Sequence, residues 1–152
     1  MALSDQVPTG SPYSAETDGA QVVADLDLHG KTAIVTGGYS GIGLETTRAL
    51  AAKGVRVIVP VRSPEKAEKN LAGLEGSVTT APLDLADLGS VAAFGAAMKG
   101  ELDRLDFLIA NAGVMACPEA RVGPGWESQF GINHMGHFAL TKHLMPLLRA
   151  TE

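Results

Sequence analysis

The chain has 152 residues, 45% of them hydrophobic and 19% charged, with a formal net charge of −5; this suits one globular domain that buries roughly two thirds of its unfolded surface. The acidic balance excludes a general nucleic-acid binder or a polybasic membrane binder, and the single cysteine, Cys117, excludes an internal disulfide framework and a multi-cysteine zinc site. No run approaches 18 apolar residues and no basic start leads into a cleavable apolar stretch, so the expectation is a cytoplasmic protein without a membrane span.

Residues 1–20 are small and polar and are broken by Pro8 and Pro12, which predicts a flexible N-terminal arm ahead of one domain over 21–152. Val22, Val23, Leu26 and Leu28 suggest a short amphipathic lead-in. Thr32 to Thr36 is apolar and β-branched, ends in glycines and predicts a buried strand. Gly41 to Lys53 places Ile42, Thr46, Ala49 and Leu50 at helical spacing, with Gly54 closing the helix. Val55 to Val61 predicts a second strand. Ser63-Pro64-Glu65 then supplies an N-cap, an N1 proline and an acid at the positive end of a second helix, with Glu65 and Lys69 as an i,i+4 pair.

Val78 to Leu83 predicts a third, weaker strand. Asp87 can cap a third helix with Val91, Phe94 and Met98 as its apolar stripe, and Leu105 to Ala110 predicts a fourth strand. A long loop, Gly113 to Gly125, leads to a last helix over Trp126 to Arg149. Leu140, Leu144 and Leu147 lie on one side of it, and Phe138, Thr141, Met145 and Leu148 on another, so two packing partners are expected; Pro146 should loosen its final turn. Strands and helices alternate throughout. The prediction is an α/β fold, a doubly wound parallel sheet of Rossmann type, truncated after the fourth strand and fourth helix.

The segment Thr36-Gly37-Gly38-Tyr39-Ser40-Gly41-Ile42-Gly43 lies between a buried strand and a helix. There Gly37 allows a sharp turn, Gly41 lets a pyrophosphate approach the backbone, and Gly43 lets helix and strand pack closely. N–H groups at the helix start, including those near Tyr39, Ser40 and Ile42, then face an anion. The spacing is G-x-x-x-G-x-G rather than G-x-G-x-x-G, and a tight turn without a ligand is the competing reading.

Together with Leu28-His29-Gly30-Lys31 ahead of it, the T-G-x-x-x-G-x-G spacing resembles the short-chain dehydrogenase/reductase family. Asp84-Leu85-Ala86-Asp87, Asn111-Ala112-Gly113 and Asn133-His134-Met135-Gly136-His137-Phe138 agree in order and spacing. The last of these, with Gly-Trp-Glu before it, resembles the branch of retinol-dehydrogenase-like and bacterial oxidoreductases. The resemblance spans about residues 25 to 150 and corresponds to an N-terminal half.

By that resemblance, Asp84, followed by Leu85, accepts a hydrogen bond from the adenine amino group, and Asn111, Ala112 and Gly113 lie along the cofactor's ribose. A solvated loop carboxylate and a strand-end turn are the alternatives. Arg62 lies nineteen residues after Gly43, where an NAD site would place an acid, and it suits a 2′-phosphate; NADP is therefore favoured over NAD, with a surface arginine as the alternative. Asn133 resembles the asparagine that holds a water in the family's catalytic proton relay, or else it bonds neighbouring backbone. His134 and His137 at i,i+3 lack any supporting ligand, so no metal is expected. Cys117 suits a packed thiol and Trp126 a packing anchor.

The family reaction is hydride transfer between nicotinamide and a small-molecule carbonyl or alcohol, with the protein supplying orientation and a proton. In the family the resemblance points to, that proton comes from a tyrosine in a Y-x-x-x-K motif, where the lysine favours the phenolate, with a serine polarising the carbonyl. Here Tyr13 is followed four residues on by Thr17, and Tyr39 by Gly43. The expectation is a cofactor-binding half, inactive by itself and homo-oligomeric when full length. The alternative is a non-catalytic dinucleotide-binding module completed by a partner.

Overall fold

The computed structural model describes residues 10–151. Four parallel strands form the central sheet in the order β3-β2-β1-β4: β1 is Thr32–Val35, β2 Arg56–Val61, β3 Val78–Pro82 and β4 Phe107–Ile109. Ile34 stands opposite Ile58 on one side and Leu108 on the other. Helices α2 (Gly41–Ala52), α3 (Pro64–Leu71) and α4 (Leu88–Glu101) fill the crossovers, and α5 (His137–Arg149) follows β4. The chain winds outward from β1 to β3, then returns to lay β4 on the far side of β1. This reversal opens a crevice at the carboxyl ends of β1 and β4, where open α/β sheets hold ligands. The doubly wound α/β sheet of Rossmann type is therefore present.

Alternation along the strands divides the core in two. Ala33, Val35, Val57, Val59 and Val61 face α2 and α3, where Ala51 and Ala67 meet them. Ile34 and Ile58 face the other way, onto Val91, Phe94 and Met98 of α4 and Leu140, Leu144 and Leu147 of α5. The expected α4 stripe is thus buried, and Asp87 caps that helix by accepting from the Gly89 N–H at 2.8 Å.

At the amino ends of the strands, Asp106 is sunk to 5% side-chain exposure. It accepts from the Thr32 N–H at 2.8 Å and meets Lys31 at 3.1 Å and Arg104 at 3.6 Å. Burial pushes its carboxyl up. The Thr32 N–H and the two cations outweigh burial and hold the carboxyl below the ordinary value of 3.8.

Several expectations need correction. The last helix does not begin at Trp126: Trp126–Glu127 is strand β6, paired antiparallel with β5 (Arg121–Val122) inside the expected loop. Glu127 then accepts from the N–H groups of Gln129 and Phe130, both at 2.9 Å, and so caps a helix that starts just after it. These bonds hold its carboxyl below the ordinary value. A π-helical segment, Phe130–Gly136, precedes α5. Helical periodicity runs through both residue types, so it did not reveal the hairpin.

On α2 the buried residues are Gly43, Thr47, Ala49 and Ala51, whereas Ile42 is 82% exposed. The face that packs closely is the one with small side chains, and the bulky Ile42 is turned away from it. The second face of α5 is not fully packed either, since Phe138 is 62% exposed. Pro146 lies inside α5, which continues to Arg149. Ser63 stands at the N-cap of α3 without a side-chain cap bond, and the ion pairs among the described residues do not include Glu65 with Lys69.

Of the arm, residues 1–9 lie outside the described residues. Asp18 and Gln21 form a capping box that starts one helical turn, α1 (Gly19–Val22), within the remainder. Among the described residues no helix is long and apolar enough to cross a membrane, and no group of three or more His, Cys, Asp or Glu is placed to hold a metal.

Candidate functional site

The glycine loop follows β1 directly. Gly37 (φ +66°) and Gly41 (φ +52°) both adopt the left-handed backbone that glycine accepts without strain. A Cβ on Gly43 would collide with the Gly37 carbonyl oxygen and with Asn111 Nδ2, so the close packing of α2 requires a glycine there. A Cβ on Gly41, by contrast, would meet nothing within 4 Å. Ser40 is the N-cap of α2 but makes no side-chain cap bond. The first-turn N–H groups of Gly41, Ile42 and Gly43 therefore meet no capping side chain, and the positive end of the helix dipole is open to an anion. Asn70 of α3 donates to the Tyr39 carbonyl at 2.9 Å and pins the loop from the side.

A cleft of about 150 Å³ lies across the carboxyl ends of the strands. Of the residues expected from sequence, Gly37, Tyr39, Arg62, Asp84, Leu85, Ala112 and Gly113 line it. Arg62 is exposed at the end of β2. Asp84 Oδ1 accepts from the Ala86 N–H at 2.9 Å, and the Asp84 N–H donates to Ser90 Oγ at 2.9 Å, which fixes the loop into α4. Ser40, Gly41, Ile42 and Gly43 sit at the start of α2 instead. Asn111 turns its amide behind the glycine loop, where Nδ2 donates to the Thr36 carbonyl at 3.0 Å.

Asn133 lies in the π-helical segment. Its Oδ1 accepts from the Val114 N–H and its Nδ2 donates to the Val114 carbonyl, both at 2.8 Å. The side chain thus takes the place of a strand neighbour for Val114, and Val114 lines the cleft. Its amide is bonded to backbone, but nineteen residues away in the chain rather than to the neighbouring backbone of the alternative reading. The side-chain amide is thereby committed, and the Asn133 main-chain carbonyl faces His137 Nδ1 at 2.9 Å.

Thr36, which opens the glycine motif, also lines the cleft, as do Pro60, Leu83, Val114 and Ile132, which were not expected there. Thr36, Pro60 and Leu83 sit at or next to the carboxyl end of a strand, which is the one signal that could have found Pro60 and Leu83. His137 went unassigned as well. It is buried, with Nε2 at 2.8 Å from Thr36 Oγ1 and Nδ1 at 2.9 Å from the Asn133 carbonyl. Cys117 Sγ lies 3.5 Å from Ser128 Oγ, in keeping with a packed thiol.

The residues fit a dinucleotide in three respects: an uncapped helix start behind an open glycine, a cation at the end of β2, and a wall of small residues after β4. Comparison with known proteins agrees. A family model described as short chain dehydrogenase matches residues 31–152. A "Probable oxidoreductase" of Streptomyces antibioticus is 48% identical over 130 residues, covering 82% of this chain and 43% of that protein. Human retinol dehydrogenase 13 is 46% identical over 129 residues, covering 82% and 39%.

Among solved structures, an uncharacterized protein from Mycobacterium paratuberculosis superposes with a TM-score of 0.75 at 44% identity, covering 83% of this chain and 46% of that one. The Pseudomonas aeruginosa RhlG/NADP active-site complex gives a TM-score of 0.70 at 32% identity, covering 81% and 50%. The chain spans about two fifths of the length of these curated relatives. It belongs to the short-chain dehydrogenase family of oxidoreductases.

Proposed function

We propose that residues 21–152 form the dinucleotide-binding half of an NADP-dependent oxidoreductase that moves hydride between nicotinamide and a small-molecule carbonyl or alcohol. The observation that carries this reading is the convergence of Gly37, Tyr39, Arg62, Asp84, Leu85, Ala112 and Gly113 on one cleft at the switch point of the sheet. The N–H groups of Gly41, Ile42 and Gly43, with Ser40 at the cap, would hold the pyrophosphate. Asp84 and Leu85 would hold the adenine, and Asn111, Ala112 and Gly113 the ribose beside the nicotinamide. Bound there, the cofactor supplies the hydride chemistry.

Arg62 decides the cofactor in this proposal. It closes a strand that ends Val59-Pro60-Val61, with no acid to receive a ribose 2′-hydroxyl, and its guanidinium suits a 2′-phosphate. A relative found with NADP supports the same choice. Asn133 would hold the proton-relay water through the lone pair of its main-chain carbonyl that His137 Nδ1 leaves free. Neither tyrosine among the 152 residues is followed by a lysine four positions on. The proton donor is accordingly assigned to residues outside these, and the 152-residue chain is expected to be inactive alone. The exposed Phe138 and Met145 of α5 are apolar surface suited to contact with the remainder of the fold or with a second subunit.

Titration of the natural gene product with NADPH and NADH, followed by cofactor fluorescence, tests the cofactor assignment. NADPH should bind more tightly, and Arg62→Ala should weaken NADPH about tenfold while leaving NADH nearly unchanged. Equal affinity for the two cofactors in the unsubstituted protein would remove NADP from the proposal.

A further inference from the structure

Behind the cleft wall, one buried imidazole joins three segments that are far apart in sequence. Nδ1 of His137 lies 2.9 Å from the Asn133 carbonyl oxygen, which can only accept, so Nδ1 carries the proton. In the neutral ring Nε2 is then an acceptor, and the Thr36 hydroxyl donates to it at 2.8 Å in preference to the Ile109 carbonyl, which lies farther off at 3.4 Å. With its hydrogen committed, Thr36 Oγ1 offers its lone pairs to the N–H groups of Asn111 and Ala112, both at 3.0 Å. Every donor in this chain points the same way, from the loop after β4 through Thr36 and His137 to the Asn133 carbonyl. Bonds arranged in this way polarise and strengthen one another.

We infer that His137 is a positioning residue for the dinucleotide cleft, acting as a neutral Nδ1–H imidazole that ties the Asn133 carbonyl to the Thr36 hydroxyl. The inference rests on the proposed dinucleotide function and goes beyond it, because His137 does not itself line the cleft. What it holds does. Thr36 and Ala112 are wall residues, and Asn133 clamps Val114, a third. His137 therefore sets the spacing between the end of β1, the loop after β4 and the π-helical segment. The tautomer matters: an Nε2–H ring would place a donor against Thr36 Oγ1 and leave the Asn133 carbonyl without its proton.

The test uses the natural gene product with nitrogen-15 in its histidines. NMR should show His137 protonated on Nδ1 and bare on Nε2; a proton on Nε2 overturns the inference. His137→Phe keeps a ring but removes both nitrogens, and it should weaken NADPH binding about tenfold, measured well below the unfolding temperature. Thr36→Val, which keeps the side-chain shape, should weaken binding to a similar extent and serves if the His137 variant does not fold. Thr36→Ser, which keeps the hydroxyl, should bind within about twofold of the unsubstituted protein.

Because both residues act through one chain of bonds, the Thr36→Val/His137→Phe double variant should be no weaker than either single one. Binding unchanged in His137→Phe, or fully additive losses, overturns the positioning role alone. An unsubstituted protein that binds neither NADPH nor NADH overturns the proposed function as well. The NMR result separates that outcome from an error in the hydrogen-bond assignment.

Discussion

The two faces of the sheet are built from different material. Under α2 and α3 the core is valine and alanine, whereas under α4 and α5 it is leucine, isoleucine, phenylalanine and methionine. The small face carries the glycine loop, and its packing is set by how closely backbone can approach backbone: Gly43 leaves no room for a methyl group against Gly37 and Asn111. The large face is set by side-chain volume. One face holds the candidate site in shape, and the other supplies most of the apolar burial that holds the domain together. The contrast shows that a closely packed glycine loop and a stabilising core can share one four-stranded sheet because successive residues point to opposite sides of it.

The largest effect should come from cutting the large face. Leu144 is fully buried, and Leu144→Ala should lower the unfolding free energy by about 2–5 kcal/mol, measured by urea titration, while leaving NADPH affinity per folded molecule nearly unchanged. Enlarging the small face should do the reverse. Gly43→Ala should cost about 1–3 kcal/mol of stability through overpacking and remove NADPH binding, because the loop must shift to admit the methyl group. Should Gly43→Ala bind normally while Leu144→Ala does not, the division of labour between the faces is wrong.

The smallest effect belongs to neither face. Asp106 sits at the amino ends of β1 and β4, away from the cleft, with its carboxyl held below the ordinary 3.8. Its contribution is therefore present above that value and is lost as pH falls through the lower folded-state value. The unfolding midpoint of the parent protein should drop between pH 5 and pH 3 by more than that of Asp106→Asn. Parallel profiles would mean that the Lys31, Arg104 and Thr32 contacts contribute nothing measurable.

Much of this was legible in the residues. Short β-branched runs between glycines marked β1 and β2, Asp87 marked the start of α4, and the glycine spacing marked the loop. In each case the cause is local: a strand's composition, a cap's oxygen, a turn that only glycine adopts. The region from Gly113 to Gly136 was not legible in the same way. Two-residue strands are too short to show alternation, and a π-helical segment carries the same residue types as the α-helix expected there. On α2 the reading by hydrophobicity sent Ile42 inward, although the buried face is the one lined by Gly43 and Thr47.

The sequence by itself determined the α/β alternation, the glycine spacing of the loop after β1 and the residue types at the carboxyl ends of the strands, since these follow from neighbours within a few positions. Only the tertiary structure decided which side each helix covers, that Asn133 clamps Val114 across nineteen residues, and that His137 meets Thr36 across 101. Those contacts arise because β4 returns to the side of β1 and brings α5 beneath the cleft. Hydrogen-bond partners separated so widely leave no periodic trace in the chain; they exist only once the core has placed their backbones within reach.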